Sequence, residues 1–119
     1  MNTVLEHIKQ TPNKIDFNDI ITAICHYYHY QPTRFTNGNV DNMIINQAGT
    51  NEGSCKIFAF AQLHQLSKDE TLACFGAFYR HDVLEHPQEN DHQNIRQFML
   101  SGWDGITFDR YPLTLKTTI

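Results

Sequence analysis

The residues best suited to chemistry lie between positions 46 and 56. This stretch reads Asn46-Gln-Ala-Gly-Thr-Asn-Glu-Gly-Ser-Cys-Lys56 and follows the short apolar run 43–45. Closely spaced glycines occur where the backbone turns sharply or approaches another group. An apolar segment with helical features follows, so the pattern predicts a loop that leads into a buried helix. The free N–H groups at such a helix start can hold a carboxylate or a phosphate.

Cys55 is the candidate for a reactive thiol. It would stand at the first position of a helix capped by Ser54 and beside Lys56, where the helix dipole favours the thiolate. A nucleophile also needs a base within hydrogen-bond reach, and one of the seven histidines, for example His92, could supply it. The sequence favours the alternative, in which Cys55 is a small residue packed at a loop–helix junction.

The glycines do not form a nucleotide-binding loop. In the pattern G-x-x-x-x-G-K-[ST] the lysine follows the second glycine directly, whereas Lys56 stands two residues too late and no Ser or Thr follows it. A nucleoside triphosphatase is therefore excluded. A small-anion site at residues 53–56 stays open, against the alternative that Ser54 caps the helix and occupies those donors.

A group of histidines and carboxylates near Pro87 raises the possibility of a metal site. Its members are His81, His86, Asp91 and His92. His81 and His86 are five residues apart and so do not share a helix face, and His81 with Glu85 gives only two ligands. The sequence therefore predicts no metal and no cofactor.

Capping signals and apolar periodicity predict five helices. Thr3 with Glu6 forms a capping box for the first helix, which ends at Pro12, and Asp16 caps a second that runs to Pro32. Ser54 is expected to cap a buried third helix over residues 55–66. The remaining two helices begin at a second capping box (Ser67 and Glu70, to about residue 85) and at Asp91 (to Gly102).

Two short segments are typical of strands, residues 43–45 and 106–108. Each alone would leave its backbone groups unpaired, so we expect them to pair with one another. From Tyr111 onward the chain is expected to be a loose tail. The sequence thus predicts a mostly α (α+β) fold, with about five helices and one or two strands in a single compact domain over residues 1–119.

Composition limits the partners. A net charge of −4 over 119 residues, without a basic stripe, argues against nucleic acid and anionic membranes as partners. The odd count of three cysteines is typical of a reducing compartment. No signal peptide or membrane-spanning segment is found, so a cytoplasmic location is expected.

Long strings of the chain resemble the HopJ family, which is named after a type III secretion effector of a plant-pathogenic bacterium. The resemblance rests mainly on Tyr30-x-Pro-Thr-x-Phe-Thr-Asn-Gly38, Asn46-x-Ala-Gly-x-Asn-x-Gly-Ser-Cys-Lys56, Phe58-Ala-Phe-Ala61, Asp91-His-Gln-Asn-Ile-Arg96 and Gly102-Trp-Asp-Gly105. It implies possible export into a host cell, but it brings no reaction, cofactor or catalytic residue.

The resemblance also favours one shared surface, built from the glycine-rich loop and the helix start at residues 91–96. Our leading hypothesis is a binding module for a small anionic molecule or a protein. The alternatives are a translocated effector that acts on host proteins and an enzyme that uses Cys55. The candidate ligand-binding residues are Asn46, Asn51, Gly53, Ser54, Cys55, Lys56, Asp91, His92 and Arg96.

Overall fold

The computed structural model describes residues 1–117 of the chain, and helices form most of it. The α-helices are α1 (Asn2–Gln10), α2 (Phe17–Tyr27), α3 (Glu52–Leu63), α4 (Lys68–Ala73) and α5 (Gln93–Ser101). Two short 3-10 helices (Pro12–Lys14 and Gly102–Gly105) and a π-helix (Phe78–Val83) complete the helical elements of these residues. None of the described helices is long and apolar enough to cross a membrane.

Five short strands form two antiparallel sheets. They are β1 (Tyr28–Tyr30), β2 (Phe35–Asn37), β3 (Ile44–Asn46), β4 (Ile106–Phe108) and β5 (Leu113–Leu115). One sheet pairs β1 with β5, with Tyr28 opposite Leu115. The other has the order β3-β2-β4, so that Phe35 lies opposite both Asn46 and Phe108.

The sheets correct three predictions from the sequence. The strands near residues 44 and 106 both exist, but β2 lies between them and pairs with each. The second helix ends at Tyr27, before Pro32, because the next three residues form β1. Their partner is β5, which lies in the segment expected to be a loose tail. The fold is α+β, as predicted, with more strands than the one or two expected.

The core is built around α3. Residues 57–61 of this helix are all fully buried, which agrees with the predicted lack of a polar face. Phe58 packs against the rings of Phe35, Phe75 and Phe98, with ring centroids 4.9 to 6.2 Å apart. The close packing around this middle part of α3 fixes the position of the helix in the fold.

Two predicted helix caps are confirmed and three are wrong. Asp16 accepts a hydrogen bond from the Asn18 N–H, and Ser67 with Glu70 forms the full capping box. The N-cap residues of the other three helices differ from the predicted ones: they are Met1 instead of Thr3, Asn51 instead of Ser54 and His92 instead of Asp91. For α5 the cap is the residue after Asp91.

The predicted fourth helix is interrupted. It ends at Ala73 instead of continuing to residue 85, and Gly76 has a positive φ of 60°. The chain then continues as the π-helix, which carries Phe78 and Asp82. π-helices are rare and are often found at functional sites.

Candidate functional site

A pocket of about 450 Å³ lies where the first turns of α3 and α5 come together. Asn51, Gly53 and Ser54 line it from α3, and His92 and Gln93 line it from the start of α5. The remaining lining residues are Phe17, Ile44, Phe75, Phe78, Asn94 and Ile95. The pocket thus combines two helix starts with a largely aromatic wall.

Both helix starts have the same unusual backbone. The N-cap residues Asn51 and His92 have φ angles of 50°, in the left-handed region that non-glycine residues seldom adopt. No side chain among residues 1–117 caps either helix. The first-turn N–H groups of both helices are therefore free of side-chain acceptors, and both macrodipoles have their positive ends at this pocket.

A network of buried asparagine amides joins the two helix starts. Asn46 and Asn94 exchange two hydrogen bonds, of 3.1 and 2.9 Å. Asn51 donates to the side-chain oxygen of Asn46 at 2.7 Å, and Asn37 donates to both the backbone and side-chain oxygens of Asn94. The amides link β2, β3 and the starts of α3 and α5, so they hold the two helix starts together.

The aromatic wall is made by Phe17, Phe75 and Phe78. Phe17 packs edge-on against Phe78 at 5.0 Å and stacks with Phe75 at 6.4 Å. A methyl group added at Gly53 would come within 2.9 Å of the Phe17 ring. Phe17 and the first turn of α3 are thus close together, and glycine at position 53 keeps space between them.

His92 is held on three sides. Its ring lies 5.0 Å from that of Phe78, and its Nε2 is 3.0 Å from Asp82 Oδ2 and 3.9 Å from Asp91 Oδ2. The imidazole is therefore anchored between an aromatic ring and two carboxylates. It lies at the edge of the pocket.

Cys55 and Lys56 face away from the pocket. Together with Glu52 they occupy positions i, i+3 and i+4 of α3 and share one face, whereas Asn51 and Ser54 are on another. Lys56 Nζ lies 4.7 Å from the centre of the Tyr30 ring. Cys55 and Lys56 therefore do not line this pocket with Ser54, and their role in ligand binding stays a prediction.

The environment of Cys55 is unsuitable for a nucleophile. The residue is 1% exposed, and burial raises the pKa of its thiol to about 11, although Tyr30 and Lys56 act in the opposite direction. A thiol with a raised pKa carries little thiolate at neutral pH. Because Asn51 rather than Ser54 is the N-cap, Cys55 also stands one turn into the helix and not at its first position. Both features argue against the hypothesis of a Cys55-dependent enzyme.

Asp91 and Arg96 form an ion pair beside the pocket rather than in it. Arg96 donates to Asp91 Oδ1 at 2.6 Å, and this bond lowers the pKa of the carboxyl group. Arg96 also donates to the backbone oxygens of Asp91 and Asp82. The pair fixes the turn before α5.

The nine candidate residues therefore fall into three groups. Asn51, Gly53, Ser54 and His92 line the pocket, and Asn46 supports it from behind. Four others lie outside it, namely Cys55, Lys56, Asp91 and Arg96. The sequence analysis did not include the aromatic residues at positions 17, 75 and 78 among the candidates, because aromatic residues at helical spacing are typical of a core.

One comparison with known proteins identifies a family. A family described as HopJ type III effector protein matches residues 1–113. Among solved structures, one titled "Crystal structure of unknown function protein VPA0580" is 50% identical to this chain, covers 98% of it and 93% of its own length, and has a TM-score of 0.92. No curated protein gives a significant match. The fold is therefore shared with a related protein whose title assigns no activity.

Proposed function

Because the chain belongs to the HopJ type III effector protein family, as the sequence strings indicated, and the description of that family names no ligand or reaction, we propose a function from the pocket itself. The chain is a binding module for a small organic anion, held between the starts of α3 and α5. The observation that carries this proposal is the convergence of two helix N-termini without side-chain caps on one pocket.

The electrostatics of the pocket favour negative charge. Each helix N-terminus acts as roughly half a positive charge, and an anion at one such end gains about 0.3–1 kcal/mol, more where it is partly buried. The pocket lining contains no carboxylate. Glu52, the acidic residue in the first turn of α3, acts on Tyr30 and Cys55 on the other face. An anion would therefore meet N–H donors and amide groups in the lining. The carboxylates nearest to the pocket edge, those of Asp82 and Asp91, are hydrogen-bonded to His92 and Arg96 respectively.

The apolar wall of the pocket favours ligands that carry an apolar group beside their negative charge. Three phenylalanines and two isoleucines supply apolar contact area, and no lysine or arginine lines the pocket. A purely inorganic anion would use only the donors and leave this wall in water. A carboxylate or phosphate monoester with an aromatic or aliphatic body uses both parts of the pocket.

A ligand screen tests this proposal directly. Purified protein is scanned by thermal shift against aromatic and aliphatic carboxylates and phosphate monoesters. A ligand at a hundred times its dissociation constant stabilises the fold by about 2.7 kcal/mol, which moves the midpoint of a domain of this size by several degrees. Hits are then titrated in ¹H–¹⁵N spectra, where we expect the amide signals of Gly53, Ser54 and Gln93 to move most.

A variant with an added negative charge distinguishes an anion-binding site from a pocket that has no preference for charge. Ser54→Asp places a carboxylate at the third position of α3, where negative charge favours the helix, so the fold should stay at least as stable. The same carboxylate repels an anionic ligand and should weaken binding more than tenfold. Lys56→Ala, on the opposite face, is the control and should bind normally. Unchanged or tighter binding in Ser54→Asp would overturn the proposal.

The family description favours a second candidate function. A HopJ-type chain could be delivered through a type III apparatus and act on a host protein. A fusion of the whole chain to a translocation reporter tests this, and entry into host cells only from secretion-competent donors is the expected result. If the fusion stays inside the donor cells of several secretion-competent strains, the result favours a resident cytoplasmic role. This is the location that we propose for the binding module.

A further inference from the structure

Three metal-ligating side chains meet beside the pocket. They are Asp82, Asp91 and His92, whose nearest ligand atoms all lie within 4.8 Å of one another. His92 Nε2 is 3.0 Å from Asp82 Oδ2 and 3.9 Å from Asp91 Oδ2. Two donors bound to one ion at about 2.0–2.2 Å each are at most roughly 4.4 Å apart, so the two separations from His92 Nε2 are compatible with one shared ion.

Different elements bring these side chains together. Asp82 belongs to the π-helix, Asp91 to the turn before α5, and His92 is the N-cap of α5. Arg96 binds Oδ1 of Asp91, which leaves Oδ2 directed toward the imidazole. Phe78 packs against the His92 ring and restricts its rotation. Orientation of ligands by such neighbours is a usual feature of metal sites.

The alternative is that these contacts are only ion pairs. A single carboxylate would satisfy a protonated imidazole, and Asp82 already lies at hydrogen-bond distance. A second carboxylate, that of Asp91, also faces the imidazole, with Oδ2 3.9 Å from Nε2, and an ion pair with Asp82 alone does not require it. All three side chains are partly exposed, so a hydrated ion can reach them.

We propose that Asp82, Asp91 and His92 bind one divalent transition-metal ion, of which Zn²⁺ is the best fit. One imidazole nitrogen and two carboxylate oxygens are a donor set that suits zinc, and the two carboxylates balance its charge. Calcium requires six to eight oxygen ligands, which three side chains do not supply. Three protein ligands leave a coordination position for water or an incoming ligand, at the edge of the pocket that His92 also lines.

This site was not found from the sequence because Asp82 was not considered. The histidines compared there, His81 and His86, do not contribute: His81 pairs with Glu85, and His86 is exposed outside the cluster. The proposal is independent of the anion pocket, although the two share His92. A failure of one can therefore be told from a failure of the other.

Calorimetric titration tests the site. The full chain, stripped with a chelator, is titrated with ZnCl₂, and one saturable ion per chain is expected. Asp82→Asn should weaken zinc binding at least tenfold. Glu85→Gln is the matched control, since it removes an exposed carboxylate that pairs with a histidine on the same segment. Absence of saturable binding, or equal losses in both variants, would overturn the proposal.

A direct measurement locates the ion. Crystals soaked in zinc should give an anomalous peak within about 2.2 Å of His92 Nε2 and of carboxylate oxygens from both aspartates. A peak at other histidines alone would reject the assignment. Ser54→Asp should leave the zinc titration unchanged, so this variant reports separately on the anion pocket.

Discussion

Asn46 and Asn94, 48 residues apart in the sequence, exchange a reciprocal pair of amide hydrogen bonds inside the protein. Both residues are almost fully buried, at 1% and 6% exposure. Because Asn46 also accepts from Asn51 and Asn94 also accepts from Asn37, this pair is the centre of the network that joins the starts of α3 and α5. Its first role is therefore to hold the pocket together, not to contact a ligand.

Removal of the Asn46 amide should be costly. In Asn46→Ala the buried amide of Asn94 loses both of its hydrogen bonds to position 46, and each unsatisfied buried group costs about 1–3 kcal/mol, so we expect a total loss of about 2–4 kcal/mol. Urea unfolding measures it. Asn90→Ala, at an exposed asparagine, should change the free energy of unfolding by less than about 0.5 kcal/mol. A loss at position 46 no larger than at position 90 would contradict the structural role.

The three cysteines should differ strongly in reactivity. Cys25 is exposed, whereas Cys55 and Cys74 are buried and have pKa values raised by burial to about 11 and about 12. The shift of Cys55 from 9.0 alone reduces its thiolate about a hundredfold at pH 8. Iodoacetamide labelling of the native protein, followed by peptide mass spectrometry, should modify Cys25 first and the other two only after unfolding.

Rapid labelling of Cys55 in the native protein would revive the hypothesis of a nucleophilic cysteine. The control is a Cys25→Ser variant, in which fast labelling should disappear altogether. Because Cys55 and Cys74 are both core residues, their rates should rise together in urea, in step with global unfolding.

His64 should make the fold sensitive to mild acid. Burial, together with the nearby N-terminal charge, lowers the pKa of His64 from 6.5, and its Nε2 is 2.7 Å from the Tyr28 hydroxyl. A lowered folded-state pKa means that the unfolded chain binds the proton more readily. The stabilisation is therefore complete above the unfolded pKa near 6.5 and is lost as the pH falls through the folded value.

Urea unfolding at a series of pH values checks this. The free energy of unfolding should decrease as the pH is lowered below 6.5, and His64→Gln should reduce the slope in that range. His86→Gln, at an exposed histidine of the polar loop, is the control for the loss of an imidazole as such. If the slope in His64→Gln equals that of the wild type, another group is responsible.

Local signals in the sequence predicted the parts of the fold that are determined locally. Asp16 and the Ser67–Glu70 box act within three residues of the helix that they cap, so short-range preferences suffice. The β1–β5 pairing joins residues 83 to 87 positions apart, such as Tyr28 and Leu115. No local pattern reveals such a partner, and the segment of β5 alone is typical of a tail.

The sequence predicted one feature of the candidate site, namely that the glycine-rich loop and the start of α5 belong to one surface. The glycine-rich loop and the α5 start both carry pocket residues. Which residues of the loop are helical, and so which of them share a face of α3, depends on where α3 begins. Serine is a preferred N-cap residue, which favoured Ser54. Asn51 takes that place instead in a left-handed conformation, and the shift of three residues changes which side chains share a face. The aromatic wall is formed by tertiary packing and has no local signal.

A last prediction concerns Gly76, which supports the aromatic wall from behind. Its φ is 60°, and a Cβ at this position would lie 2.8 Å from the backbone nitrogen of Phe17 and 3.1 Å from the Ile15 oxygen. Backbone atoms at the start of α2 cannot move aside as a side-chain end can. Gly76→Ala therefore combines left-handed strain of about 1–2 kcal/mol with a steric clash, for an expected loss of about 2–4 kcal/mol.

Gly49 provides the matched control, because it also has a positive φ, of 87°, but an added Cβ would meet no atom within 4 Å. Gly49→Ala should show the strain alone, about 1–2 kcal/mol. Urea unfolding of both variants gives the difference that belongs to the clash with α2. Since Phe17 lines the pocket, Gly76→Ala should also shift the aromatic signals of Phe17 and weaken binding of any pocket ligand, whereas Gly49→Ala should do neither. Equal losses of stability in the two variants would show that the contact between Gly76 and the start of α2 is not close in solution.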